Sequence, residues 1–231
     1  MQKQSQQDNV DFCLMREKLF SAVIGDVMDK MGYTRQFLPP YLSPLDRSMV
    51  IAGRAMPVLE ADVFSETEKH TANPLMRQPF GLMFEALDSL KKDDVYICTG
   101  ASPSYALWGG LMSTRALRLE AAGAVLDGYL RDSNEILSLN FPVASRGCYA
   151  QDQGPRGKVI DYNVPIRIGQ VNINPGDIIF GDCDGVLCIP QEIEAEVLAK
   201  AHEKVRGENK VREALNQGMS TVEAFEKFGI M

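Results

Sequence analysis

The sequence predicts an α/β fold in which a parallel, helix-covered sheet is followed by hairpin-like strands and C-terminal helices, and three observations carry that prediction. Between residues 82 and 145, helix-like and strand-like segments alternate across short connections, the pattern of a parallel sheet covered by helices. After Gly147 the texture changes to short strands with turn residues between them. From residue 191 onward the chain is amphipathic at helical spacing.

Taken in order, residues 1–10 form a polar tail, and residues 11–231 are read as one domain that includes C-terminal helices over 191–231. Residues 12–31 place Leu14, Leu19, Val23, Val27 and Met28 at helical spacing, and Gly25 and Gly32 punctuate them into two short helices. The proline-rich stretch 38–44 is expected to be a loop. Residues 49–58 read as a strand interrupted by Gly53 and closed by Pro57. Residues 60–79 show no clear period and are expected to form a loop over a site.

Residues 82–90 then read as a helix and 94–99 as a buried strand. They are followed by helix 111–122, strand 124–127, a short helix near 133–139 and strand 142–145. Strands follow over 158–168, 171–173 and 178–189, with Pro175-Gly176-Asp177 and Asp182-Cys183-Asp184-Gly185 as turns. Ile193, Val197, Leu198, Ala201 and Val205 share one helical face, and Gly207 and Gly218 are expected to break that helix.

With 231 residues, 45% of them hydrophobic and 24% charged, the chain is long enough to bury a sizeable core. A formal net charge of -7 argues against broad nucleic-acid binding, which needs clustered Lys and Arg. No apolar run is long enough to span a membrane, and the polar N-terminus lacks the apolar core of a signal peptide, so a cytoplasmic location is expected. Cys13, Cys98, Cys148, Cys183 and Cys188 are odd in number and lack a CxxC pair, which reads as reduced core residues.

The chemistry concentrates between Tyr105 and Glu135. A strand over 124–127 would put Arg131 and Asp132 in the loop beyond its carboxyl end, where open α/β sheets place ligands, and Glu135 one turn into the next helix. A guanidinium is a planar fork for a carboxylate, and an aspartate is a hard oxygen ligand for Mg2+ or Mn2+. The plainer alternative is a surface salt bridge with the aspartate as a helix cap. Upstream, Gly109 and Gly110 enter a helix whose free N–H groups, from Gly110 through Leu111 to Met112, favour an anion; a tight turn beside a core Trp108 is the alternative. His70 and His202 are remote in sequence, and Lys91 and Lys92 read as a solvated helix end, so neither a histidine base nor a Schiff base is expected.

The spacing of Gly110, Arg131, Asp132 and Glu135, with Ala106-Leu107-Trp108-Gly109, residues 123–128 and residues 175–190 around it, resembles the RraA-like family. Its enzyme members are divalent-metal-dependent 4-hydroxy-4-methyl-2-oxoglutarate and 4-carboxy-4-hydroxy-2-oxoadipate aldolases; its non-enzymatic members bind and inhibit ribonuclease E and lack the complete Arg-Asp pair. The likeness implies an α/β fold of layered sheets flanked by helices, a swivelling β/β/α-like domain, assembled as a homotrimer or homohexamer. It further implies a lyase that releases pyruvate from 2-oxo diacids and decarboxylates oxaloacetate. Arg131 would bind the oxo-acid end and stabilise the enolate, Asp132 would ligate the metal directly, and Glu135 would act through metal-bound water. Backbone amides at Gly109, Gly110, Leu111 and Met112 would hold the substrate carboxylate, and Glu208 would reach the site from a neighbouring subunit. Many relatives carry an acid where Gly110 stands here. A ribonuclease-binding regulator and a metal-dependent decarboxylase of another acid remain the alternatives.

Overall fold

Alternation along the central strands decides the layering. In the strand Asp94–Thr99, Val95 and Ile97 point to one buried cluster while Tyr96 and Cys98 point to another. A strand buried on both faces must be covered twice. The computed structural model describes residues 10–64 and 67–229, so residues 1–9 of the predicted tail and 65–66 of the predicted loop lie outside the described residues.

The helices and strands run α1 (Phe12–Lys18), α2 (Ser21–Lys30), β1 (Ser43–Pro44), β2 (Ile51–Asp62), α3 (Thr67–His70), α4 (Met83–Asp88), β3 (Asp94–Thr99), β4 (Ala106–Trp108), α5 (Gly110–Arg118) and β5 (Gly123–Leu126). They continue with β6 (Tyr129–Leu130), α6 (Ser133–Leu139), β7 (Val143–Ser145), β8 (Gly157–Tyr162), β9 (Ile166–Ile168), β10 (Val171–Ile173), β11 (Ile178–Asp182), β12 (Gly185–Ile189), α7 (Glu194–Asn216) and α8 (Thr221–Phe228). The main sheet has the order β1-β7-β5-β3-β2-β11-β12, and β8 also pairs with β2. Strands β2, β3, β5 and β7 are mutually parallel, and β1, β8, β11 and β12 add antiparallel pairs.

One face of the sheet is covered by two groups of helices. Helices α1, α2 and α7 close over Ala52, Ile178, Phe180, Leu187 and Ile189. Met83, Ala86 and Leu87 of α4, Ala116 of α5 and Ile136 of α6 pack with Met56, Val58, Tyr96, Trp108 and Phe141. The opposite face, Ile51, Val95, Ile97, Val125 and Ile179, is covered by the β9–β10 hairpin through Ile166, Ile168, Val171 and Ile173. This is the β/β/α layering that the resemblance implied.

Several boundaries differ from the predicted ones, each for a physical reason. The first two helices part at Leu19 and Phe20, where Asp182 accepts from the Ser21 N–H at 2.7 Å and its hydroxyl at 2.7 Å and so caps α2. Gly25 lies inside α2, because any Cβ there would collide with the Phe37 ring. Strand β2 runs straight through Gly53, whose missing Cβ leaves room for the Asp93 carbonyl, and through Pro57. Pro57 falls between the β11 ladder at residues 51–54 and the β8 ladder at 58–62, so its missing N–H removes no ladder bond on that side. Within the proline-rich stretch, Ser43 and Pro44 form an edge strand on β7 rather than loop. The 60–79 segment is not all loop either: Glu60 to Asp62 complete β2, and α3 and a 3-10 turn at Pro74–Arg77 follow. Helix α7 passes unbroken through Gly207 and stops at Gly218, whose φ of 95° is left-handed. Of the cysteines only Cys98 and Cys188 are buried; Cys13, Cys148 and Cys183 are exposed. Among the described residues no helix is long and apolar enough to cross a membrane.

Candidate active site

Two strands that sequence reasoning missed bring the site together. Strands β4 and β6 pair in parallel, Ala106 beside Tyr129 and Trp108 beside Leu130, and the Arg131 N–H donates to the Trp108 carbonyl at 3.0 Å. At three and two residues they are too short to display a period. Their pairing sets Gly109 and Gly110, which begin α5, against Arg131 and Asp132, which lead into α6. Trp108 anchors the arrangement: its indole N–H donates to the Ser113 hydroxyl at 2.7 Å, its ring stacks on Phe141 at 6.0 Å, and that hydroxyl donates onward to the Gly109 carbonyl at 3.2 Å. Trp108 is thus a buried core aromatic, and it also borders the cleft described below.

Asp132 is the N-cap residue of α6 with φ 58° and ψ 35°, a left-handed conformation in which Asp is several-fold enriched. Its side chain does not cap its own helix. It turns back to accept from the Gly110 N–H at 3.1 Å, and its Oδ2 is 3.9 Å from Arg131 Nε. Glu135, at the third position of α6, lies over Gly110 so closely that a Cβ there would clash with the carboxylate; a Cβ on Gly109 would be 2.7 Å from Asp132 Oδ2. The two glycines thus leave space that two carboxylates fill. One expectation is corrected: the Gly110 amide is engaged by Asp132 and is not free for an incoming carboxylate. The Leu111 and Met112 amides precede the first intrahelical bond of α5, from Ser113 N to the Gly109 carbonyl at 3.1 Å, and remain first-turn donors.

Arg131 and Asp132 open into a cleft of 320 Å3 whose walls include Phe80, Met83, Phe84 and Met112. The cleft also contains two polar residues that the sequence did not flag. Asp152 Oδ1 accepts from Arg131 Nη1 at 2.8 Å while its Oδ2 accepts from the Gly154 N–H at 3.0 Å. Gln153 is 5% exposed, and its amide nitrogen has no hydrogen-bond partner among the described residues. Both belong to an irregular segment between β7 and β8, where no periodicity marks a buried side chain.

Other candidates lie elsewhere. Glu208 is on α7, with a carboxylate oxygen 3.6 Å from Lys204 Nζ, which also pairs with Asp26, and it does not line this chain's cleft. Neither do His70 on α3 or His202 on α7. Lys91 and Lys92 are exposed. Asp182, Cys183 and Asp184 group their ligand atoms within 4.8 Å, but Asp182 is the cap of α2. Glu60 is 2% exposed, and burial pushes its carboxyl up to about 8, with Cys98 Sγ 3.6 Å away and Asp62 and Tyr105 beside it.

The RraA-like model, described as Aldolase/RraA, matches residues 21–188. The chain belongs to the RraA-like family. It is 29% identical over 221 residues to the "Putative 4-hydroxy-4-methyl-2-oxoglutarate aldolase" of Halalkalibacterium halodurans, with 95% of each chain covered. It is 30% identical over 213 residues to Protein DlpA of Legionella pneumophila; the match takes 90% of this chain but spans only 32% of DlpA. Streptomyces coelicolor RraAS2, an unusual member of the RNase ES inhibitor RraA protein family, superposes with a TM-score of 0.72 at 22% identity, covering 89% of this chain and 98% of that one. The family membership and the shared fold agree with the resemblance carried by Gly110, Arg131, Asp132 and Glu135.

Proposed function

We propose that this chain is a divalent-metal-dependent lyase that cleaves 4-hydroxy-2-oxo acids of the 4-hydroxy-4-methyl-2-oxoglutarate type to pyruvate, and that decarboxylates oxaloacetate through the same enolate. The observation that carries this reading is that Arg131 and Asp132 open into one cleft at the start of α5, with Asp132 held by Gly110 N–H at 3.1 Å instead of capping its own helix. The residues fit Mg2+ or Mn2+: Asp132 and Glu135 converge on Gly109 and Gly110 as hard oxygen donors, the ligand type these cations take. Bound there, the cation supplies Lewis acidity toward the oxo group and acidifies water.

The protein's own groups do the rest. Arg131, with Nη1 held by Asp152, keeps its remaining N–H groups for the charge that develops on the oxo oxygen. The Leu111 and Met112 amides hold the carboxylate of the 2-oxo acid. Glu135, through an intervening water, takes the proton from the C4 hydroxyl. The C3–C4 bond then breaks, its electron pair passes to C3 as the pyruvate enolate, and C4 leaves as a carbonyl. Protonation at C3 completes pyruvate. In oxaloacetate the same bond breaks with loss of CO2. Glu208 reaches the site from a neighbouring copy in a homotrimer or homohexamer.

The test is pyruvate release from 4-hydroxy-4-methyl-2-oxoglutarate and oxaloacetate in the presence of Mg2+. Chelator and Asp132→Ala are each expected to abolish it. Turnover that survives Asp132→Ala overturns the metal-ligand role.

A further inference from the structure

Charge is distributed unevenly around the cleft. Among the described residues that line it, Arg131 is the one cation, and it is already shared: Asp152 accepts from Nη1 at 2.8 Å and Asp132 stands 3.9 Å from Nε. What remains of the guanidinium suffices for one anionic head. The rest of the wall is hydrocarbon. Met83 and Leu87 lie one turn apart on the same face of α4, Phe80 and Phe84 meet edge to face at 5.6 Å, and Met112 extends from α5. A second carboxylate placed against that wall would lose its water with no cation to replace it. A hydrocarbon substituent would lose only unfavourable contact with water. Gln153, with a buried amide nitrogen that lacks a partner among the described residues, adds a donor suited to an uncharged oxygen.

Resting on the lyase reading above, we infer that the cleft selects a 2-oxo acid with a single carboxylate and a hydrocarbon end, in preference to a dicarboxylate. The aldol substrate is then one in which an alkyl or aryl ketone or aldehyde, not a second oxo acid, leaves with C4. Oxaloacetate is an exception, because its distal carboxylate departs as neutral CO2.

Two measurements on the full chain with Mg2+ test this. Calorimetric titration compares 2-oxopentanoate with 2-oxoglutarate, which share a head and chain length and differ in the distal carboxylate. Pyruvate release compares 4-hydroxy-4-methyl-2-oxopentanoate with 4-hydroxy-4-methyl-2-oxoglutarate. In each pair the monocarboxylate is expected to be favoured by at least about tenfold, in Kd and in kcat/KM. Phe84→Arg, at a partly exposed position where a cation is tolerated, is expected to reverse both preferences while thermal unfolding stays within a few degrees. Equal or reversed preference in the unaltered chain overturns the inference and leaves the lyase reading intact. Absence of pyruvate from every compound overturns the lyase reading, and the titration still decides which tail the cleft accepts.

Discussion

Two arginine–aspartate clusters stand within twenty residues of each other and have opposite character. In the first, Asp127 Oδ1 accepts from Arg146 Nε at 3.0 Å, Arg146 Nη2 at 2.6 Å and the Tyr41 hydroxyl at 3.0 Å, while Oδ2 accepts from Thr99 at 2.9 Å. Its aspartate and arginine side chains are 15% and 28% exposed, and the guanidinium is 4.0 Å from the centre of the Tyr41 ring. Both carboxylate oxygens are engaged, and through the Tyr41 hydroxyl the cluster pins the 38–44 stretch to the end of β5. In the second, Arg131 and Asp132 are 40% and 45% exposed, are 3.9 Å apart, and face a cleft. The same residue types make a finished joint in one place and an unfinished one in the other. The difference is the number of protein donors supplied, and in the function proposed above the groups left open are the ones that meet the substrate and the metal.

The largest effect that would sharpen this contrast is expected at Arg131. Arg131→Ala should lower kcat/KM about 100- to 1,000-fold, the loss of a charge aimed at the developing enolate. The unfolding free energy should move by less than about 1 kcal/mol, because exposed pairs contribute little. Steady-state kinetics and denaturant unfolding on the same preparation would separate the two. A protein that melts as soon as Arg131 is removed would break the comparison.

Asp127→Ala should do the reverse, with a loss of about 2 kcal/mol of stability from an arginine and a threonine left without their acceptor. Urea unfolding measures it, with kcat/KM changing far less than in Arg131→Ala. Glu60 offers a third kind of carboxylate, buried with no cation against it among the described residues. Below its ordinary value of 4.5 both folded and unfolded chains hold the proton, and burial costs nothing in charge. Between there and about 8 the unfolded chain releases the proton and the folded chain retains it, so stability falls as pH rises. Within that window the slope approaches about 1.4 kcal/mol per pH unit and vanishes above it. Glu60→Gln should remove that slope in denaturant titrations run from pH 5 to about pH 9. An unchanged slope would show that Glu60 is already ionised in the fold.

How much of this was legible beforehand depends on what each signal measures. The 94–99 and 133–139 elements were placed correctly because apolar runs and helical spacing report burial directly. Gly25, Gly53 and Gly207 were read as breaks, yet each lies inside an element. At Gly25 and Gly53 the missing Cβ admits a neighbour, the Phe37 ring and the Asp93 carbonyl, that no local pattern can reveal. The spacing of Gly110, Arg131, Asp132 and Glu135 was visible, but not that β4 and β6 make it into one place. Asp152 and Gln153 carried no periodic signal. The one available hint was an aspartate before a glycine two residues on, where the side chain bonds the Gly154 N–H in a local turn.

The smallest expected effect bears most closely on why the second cluster stays open. Gly110 begins α5, and a Cβ there would meet only the far end of the Glu135 side chain, which is exposed and free to swing away. Gly110→Ala should therefore change stability by less than about 1 kcal/mol, and helix propensity favours alanine. Activity should still fall, because the displaced Glu135 can no longer converge with Asp132 on the same point. About a tenfold loss in kcat is the expected scale for a displaced supporting carboxylate. Restoring kcat with Gly110→Ala combined with Glu135→Asp, whose shorter side chain clears the new methyl, would identify crowding as the cause. A Gly110→Ala protein with full activity would mean that Glu135 takes no part in the chemistry, and that Arg131 and Asp132 suffice for it.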